Sequence, residues 1–162
     1  MFEKWITVTS TVCLTLSSIC AYAVVERETF EVSVSIPTAE FHVLPVDPGW
    51  MGHEQKLHWN LATDELGSLR KQFDVKNTNG AIVARLSEEP YISNGREVDN
   101  IALAVMFNRI KLTVDNAQVI AASEANVGKR VELLIAAVKP DAGYKPGDYY
   151  GSVHMIFEAL AP

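Results

Sequence analysis

The sequence predicts an all-β protein: two antiparallel sheets packed as an immunoglobulin-like Greek-key sandwich. Three observations carry this. About seven or eight short segments show strand composition or period-two alternation. Turn signals separate them at regular intervals. No stretch sustains the 3.6-residue apolar period of a long helix. The chain has 162 residues, a length suited to one domain with a substantial core.

The first 23 residues read as an export signal, to be cleaved. Lys4 and the amino terminus give a thin basic region, Ile6 to Cys20 is apolar with Thr and Ser mixed in, and Ala21-Tyr22-Ala23 is a small-x-small cleavage site. The apolar run falls short of the roughly 20 residues a membrane span needs. Ile19 precedes Cys20 where a lipid-anchor signal wants a small residue, which argues against an anchor. Both cysteines, Cys13 and Cys20, lie inside this leader. The remaining chain therefore has no disulfide, no cysteine nucleophile and no cysteine metal ligand. The net charge of −6 argues against nucleic acid and against an anionic membrane surface as partners.

Behind the leader, residues 24–36 form the clearest pattern in the chain. Phe30, Val32, Val34 and Ile36 alternate with Glu31, Ser33 and Ser35, so one face of an extended strand is apolar. Pro37 closes it, since proline donates nothing to a ladder. Residues 37–162 then form the domain. Ala39 to Val46 is a strand broken by Pro45, and Asp47-Pro48-Gly49 is a turn. Glu54 to Leu61 alternates, with Leu57, Trp59 and Leu61 on one face. Phe73-Asp74-Val75 runs into Asn79-Gly80, a strong hairpin signal, and Ala81 to Leu86 reads as the returning strand. Ile101 to Phe107 is apolar on both faces, as a central strand covered on both sides would be. Ile110 to Val114 pairs with it, and Ala121 to Lys129 is a loop or one helical turn. Val131 to Val138 is a strand, Lys139 to Gly147 a turn-rich loop, and Tyr149 to Leu160 the last strand.

Catalytic and metal constellations are weak. His53 and His58 are five apart, about 140° apart on a helix and on opposite faces of a strand, so they miss the zinc spacing. Asp64-Glu65 and Glu88-Glu89 are neighbours in sequence and do not face each other across a cleft as a glycosidase pair must. Neither a Gly-x-Ser-x-Gly elbow nor a phosphate-cradling glycine loop occurs. Trp50, Trp59, Tyr149 and Tyr150 have the chemistry of a sugar site, but packing is the favoured reading of aromatics at strand spacing. No cofactor and no metal is expected, and the protein is read as not an enzyme.

Three stretches together carry a resemblance. Val25-Glu26-Arg27 leads into the alternating strand that ends at Pro37; the middle segment runs from Phe73 through Asn79-Gly80 to Leu86; and Pro146-Gly147-Asp148-Tyr149-Tyr150-Gly151-Ser152-Val153 leads to the chain end. The chain resembles structural subunits of fimbriae of the colonisation-factor-antigen type, the alternate (alpha) class assembled by a periplasmic chaperone and an outer-membrane usher. The Pro-Gly-x-Tyr-x-Gly-x-Val run is shared widely among chaperone–usher pilins; the missing cysteine pair favours this class. Glu158 makes the tail less apolar than a minimal pilin strand.

The resemblance implies an incomplete immunoglobulin-like sandwich, completed by a donor strand from a neighbouring copy. After Tyr149 to Leu160 only Ala161-Pro162 remain to cover a groove beside that strand. Phe30, Val32, Val34 and Ile36 are then the donor residues, and Tyr149, Val153, Met155 and Phe157 the acceptor residues. Burying four donor side chains at about 1.5–3 kcal/mol each is worth roughly 6–12 kcal/mol before ordering costs, comparable to the stability of a whole domain. The implied partners are other copies in a head-to-tail polymer, the chaperone, the usher and a tip adhesin, with export through the periplasm to a surface fimbrium. One domain fills the length, which argues against a two-domain adhesin. The alternative is a monomeric exported sandwich that binds a glycan or protein ligand, in which residues 24–36 pair within their own chain.

Overall fold

The computed structural model describes residues 40–160. The leader, its cleavage residues Ala21 and Ala23, and the donor residues Phe30, Val32, Val34 and Ile36 lie outside the described residues. Two sheets face each other. The larger contains β1 (Phe41–Pro45), β4 (Leu69–Asn77), β10 (Lys129–Ala137), β7 (Ile101–Phe107) and β6 (Tyr91–Ile92), in that order, with β8 (Ile110–Lys111) on β7. The smaller has the order β11 (Met155–Ala159), β5 (Ile82–Leu86) and β9 (Ala117–Ile120). A short hairpin of β2 (Trp59–Asn60) and β3 (Glu65–Leu66) stands outside both, and α1 (Ala122–Val127) links β9 to β10. Every ladder is antiparallel.

The core forms where period-two alternation turns one face of each strand inward. Phe73 and Val75 of β4, Val105 and Phe107 of β7, and Val131, Leu133 and Ile135 of β10 meet Ile82, Ala84 and Leu86 of β5 and Val119 and Ile120 of β9. The outer face of the larger sheet is polar. Arg130 donates to Asp74 through two nitrogens at 2.7 and 2.8 Å, and Arg70 to Glu132 at 2.7 Å. These pairs are exposed and add little stability. Their value lies in excluding an outer apolar face.

Four expectations need correction. β4 and β5 do not form a hairpin: Asn79-Gly80 sits on a connection between the two sheets. Asn77 explains this. Its side chain is buried, with Nδ2 donating to the Ala81 carbonyl at 2.9 Å and to the Leu160 carbonyl at 3.4 Å, and Oδ1 accepting from the Asn79 amide at 3.2 Å. These bonds hold the chain as it leaves one sheet and enters the other. Second, β7 is covered on one side only. Ile101, Val105 and Phe107 are buried while Ala102 is exposed, so the alanines mark the solvent face of a well-hydrogen-bonded strand. Third, the alternation of Leu57, Trp59 and Leu61 does not produce a core strand; only Trp59–Asn60 pairs, and Leu61 is 85% exposed. Fourth, the last strand is shorter than 149–160, starting at Met155.

Other expectations match in place and kind. Asp47 accepts from the Gly49 amide at 3.0 Å in the turn after β1. Asn108 and Arg109, both at positive φ, make the two-residue turn between β7 and β8. Replacing Asn77 with Ala would remove three part-buried hydrogen bonds at the crossing, while the Ala81 carbonyl keeps the Leu160 amide. We expect a loss of about 1–3 kcal/mol in urea unfolding, and a loss under about 0.5 kcal/mol would contradict this role for the side chain.

Candidate strand-acceptor groove

β11 pairs on one side only among the described residues. The Ser87 amide donates to the His154 carbonyl at 3.1 Å and the Leu160 amide to the Ala81 carbonyl at 2.9 Å. These bonds fix the phase of the ladder: residues 154, 156, 158 and 160 hydrogen-bond toward β5. In an antiparallel ladder, residues alternate between the two edges. The N–H and C=O groups of Met155, Phe157 and Ala159 therefore point to the other edge. The same alternation points the Met155 and Phe157 side chains inward, where they are half-buried against the core. Glu158 faces outward, 3.8 Å from Arg85. The charge that looked out of place in an apolar strand thus lies on its solvent face.

β1 lies on the same side of the sandwich. Asn108 Nδ2, just past β7, donates to the Val119 carbonyl at 2.7 Å, placing β9 over the end of β7. β11, across β5 from β9, therefore lies toward β4 and β1, and the bond from Asn77 to Leu160 agrees. Phe41 and Val43 of β1 pack half-buried against the core from the opposite wall. A line of ring contacts crosses the core. Trp50 meets Phe73 at 6.1 Å, Phe73 meets Phe107 at 5.6 Å, and Phe107 meets Phe157 at 4.8 Å between centroids. Phe41, Val43, Met155 and Phe157 are thus half-buried on either side of the buried Phe73 and Phe107, next to the β11 edge.

The four acceptor residues read from sequence divide. Met155 and Phe157 stand in β11, and Val153 precedes it, packed against the core. Tyr149 is not in this strand. The Ser93 amide donates to the Tyr150 carbonyl at 2.8 Å and the Tyr150 amide to the Ser93 carbonyl at 2.9 Å, so this segment is tied beside β6 in the larger sheet. The chain crosses to β5 only after Gly151. The Tyr149 hydroxyl donates to the Lys145 carbonyl at 3.0 Å. Tyr149 lines a pocket of about 620 Å³ with Trp59, Tyr144 and Tyr150. Burial, and then the Glu65 charge, raises the Tyr144 phenol above its usual pKa. Phe41 and Val43, half-buried against the core on the β1 side, were not singled out from the sequence. Their alternation in the Ala39 to Val46 segment was the available signal.

Gly151 explains part of the Pro-Gly-x-Tyr-x-Gly-x-Val run. A Cβ there would collide with the Tyr91 carbonyl oxygen and crowd Ile92. Backbone has little room to yield, so only glycine lets the chain cross β6 this closely. Among the described residues no three His, Cys, Asp or Glu side chains gather as a metal would require.

Among the described residues the antiparallel sandwich leaves β11 at a sheet edge with half-buried apolar side chains. Residues 26–158 match the family described as CS1 type fimbrial major subunit. The chain belongs to that family and is a structural fimbrial subunit, one that polymerises with other copies in a cell-surface fimbrium. The family is known for building fimbriae and not for catalysis. Among solved structures, the chain is similar to the CooA pilin subunit from enterotoxigenic Escherichia coli, with a TM-score of 0.62 and 19% identity over 74% of this chain and 86% of that one. At that identity the likeness establishes the immunoglobulin-like sandwich fold. No curated protein matches the chain.

Gly151→Ala should cost on the order of 1–3 kcal/mol, as other overpacking changes do, read as a lower thermal midpoint. An unchanged midpoint would mean that β6 and the 149–151 segment are not held as described.

Proposed function

We propose that the subunit polymerises by donor-strand exchange. Phe30, Val32, Val34 and Ile36 of one copy enter the gap beside β11 of the next. They lay their side chains over the Phe157, Phe107 and Phe73 floor and hydrogen-bond to Met155, Phe157 and Ala159. The observation that carries this reading is the one-sided pairing of β11 among the described residues, combined with half-burial of its inward side chains. The donor runs antiparallel to β11, in keeping with every other ladder in the sandwich. Ile36 then lies at the Met155 end.

An open edge beside apolar side chains aggregates unless covered. Export therefore needs a temporary occupant, and a periplasmic chaperone supplies a strand until an outer-membrane usher exchanges it for the donor of the incoming subunit. The leader is removed after Ala21-Tyr22-Ala23 in the periplasm, which frees residues 24–36 to act. A contact between one end of a copy and the other end of the next does not close on itself, so it extends into a fibre, and a tip adhesin terminates it. The fibre serves adhesion and colonisation.

Asp at both 32 and 34 would bury two carboxylates in an apolar slot, which is strongly unfavourable. The Val32→Asp/Val34→Asp variant should form no fibres while its own groove still captures the chaperone. Fibre yield equal to wild type would exclude this mechanism.

A further inference from the structure

The two ends of the sandwich differ in charge and in exposed apolar surface. At one end lie the loops 46–68, 87–100 and 138–154, where β1 and β10 finish and β4, β7 and β11 begin. They carry ten carboxylates against four Lys and Arg side chains. They also hold eight of the thirteen exposed large apolar side chains among the described residues, including Leu61 and Val98, each 85% exposed, and Tyr150 at 67%. At the other end lie the turns 76–81, 108–109 and 121–129. Their charges are Lys76, Arg109 and Lys129 against Glu124 alone, which Lys129 pairs at 2.7 Å. Glu40, just before β1, accepts from Asn79 at 3.4 Å at this end, so Lys76 and Arg109 leave an excess of one positive charge, with Val127 84% exposed near Lys76.

A tether decides what covers the acidic end. Resting on the donor-strand reading above, a neighbour's donor finishes at Ile36 beside Met155, at the acidic end of the acceptor. The neighbour's own β1 starts at Phe41, which is paired with Asn77 at its basic end. Five residue steps from Ile36 to Phe41 span at most roughly 18 Å. The basic end of the neighbour is thus held close to the acidic end of the acceptor. Opposite charges then meet at short range, and exposed apolar side chains on both sides lose water.

We propose that successive subunits share a second contact besides the donor strand. The acidic loops of one copy, around Leu61 and Tyr150, dock on the Lys76, Arg109 and Val127 end of the next. The donor strand supplies linkage and this contact supplies bending stiffness. It is sensitive to salt, whereas the buried donor strand is not.

The test uses fibres of the full chain assembled on cells with their chaperone and usher, imaged by electron microscopy for persistence length. Detergent-resistant ladders report the donor linkage. Raising salt to about 1 M, where the screening length falls to about 3 Å, should shorten the wild-type persistence length several-fold with ladders unchanged. Lys76→Glu/Arg109→Glu and Leu61→Ser/Tyr150→Ser should do the same at low salt; Arg109, Leu61 and Tyr150 are exposed and Lys76 is half-buried. Persistence lengths unchanged by salt and by both variants would overturn the second contact while leaving donor exchange intact. Wild-type fibres without ladders would overturn donor exchange, and this proposal with it.

Discussion

The structure depends on a hydrogen-bonding imbalance at β11. That strand gives half of its backbone groups to β5 and turns the other half to an edge that no described strand covers. The same residues, Met155 and Phe157, turn their side chains into the core. An extended strand laid along that edge would pair the backbone and cover the side chains at one place. A small ligand would leave the ladder unpaired, and a helix would leave it uncovered.

The rest of the fold positions this edge. Asn77 holds the crossing between sheets and reaches the end of β11 through Leu160, so the buried amide and the open edge share one hydrogen-bond cluster. The line of rings from Trp50 to Phe157 joins the loop after β1 to β11 through β4 and β7. Gly151 lets the incoming chain pass β6 closely enough to cross to β5. An occupant of the gap therefore packs against residues that are themselves part of the core, and its binding energy adds to that of folding.

Much of the fold was legible because its long strands alternate. β4, β7 and β10 fall near where period-two patterning puts them, and the proline and glycine turns fall between them. What was not legible was non-local. The Asn79-Gly80 pair has the chemistry of a hairpin, but which sheet receives the next strand is decided by Asn77 and by a carbonyl 83 residues away. Tyr149 shares a strand-like run with Phe157, but the bonds between Tyr150 and Ser93 bind it to the other sheet. Ala102 and Ala104 resemble a buried second face because alanine alone does not report solvent. β9 is four residues, Ala117–Ile120, too short to show a period. Met155, Val153 and Phe157 alternate in the sequence and pack against the core together, while Phe41 and Val43 were not linked to them, because which edges oppose each other is set by strand order.

The central claim is that the sandwich lacks one strand and that residues 24–36 supply it. The most direct measurement compares two proteins by thermal melting and size-exclusion chromatography. One begins at Pro37; the other also begins there and carries residues 24–36 through a short flexible linker after Pro162. If donor residues contribute on the order of 6–12 kcal/mol before ordering costs, the fused protein should be a monomer melting tens of degrees above the bare one, and the bare one should aggregate. Equal melting of two well-behaved monomers would contradict the claim, since a sandwich that gains nothing from the strand has no place for it.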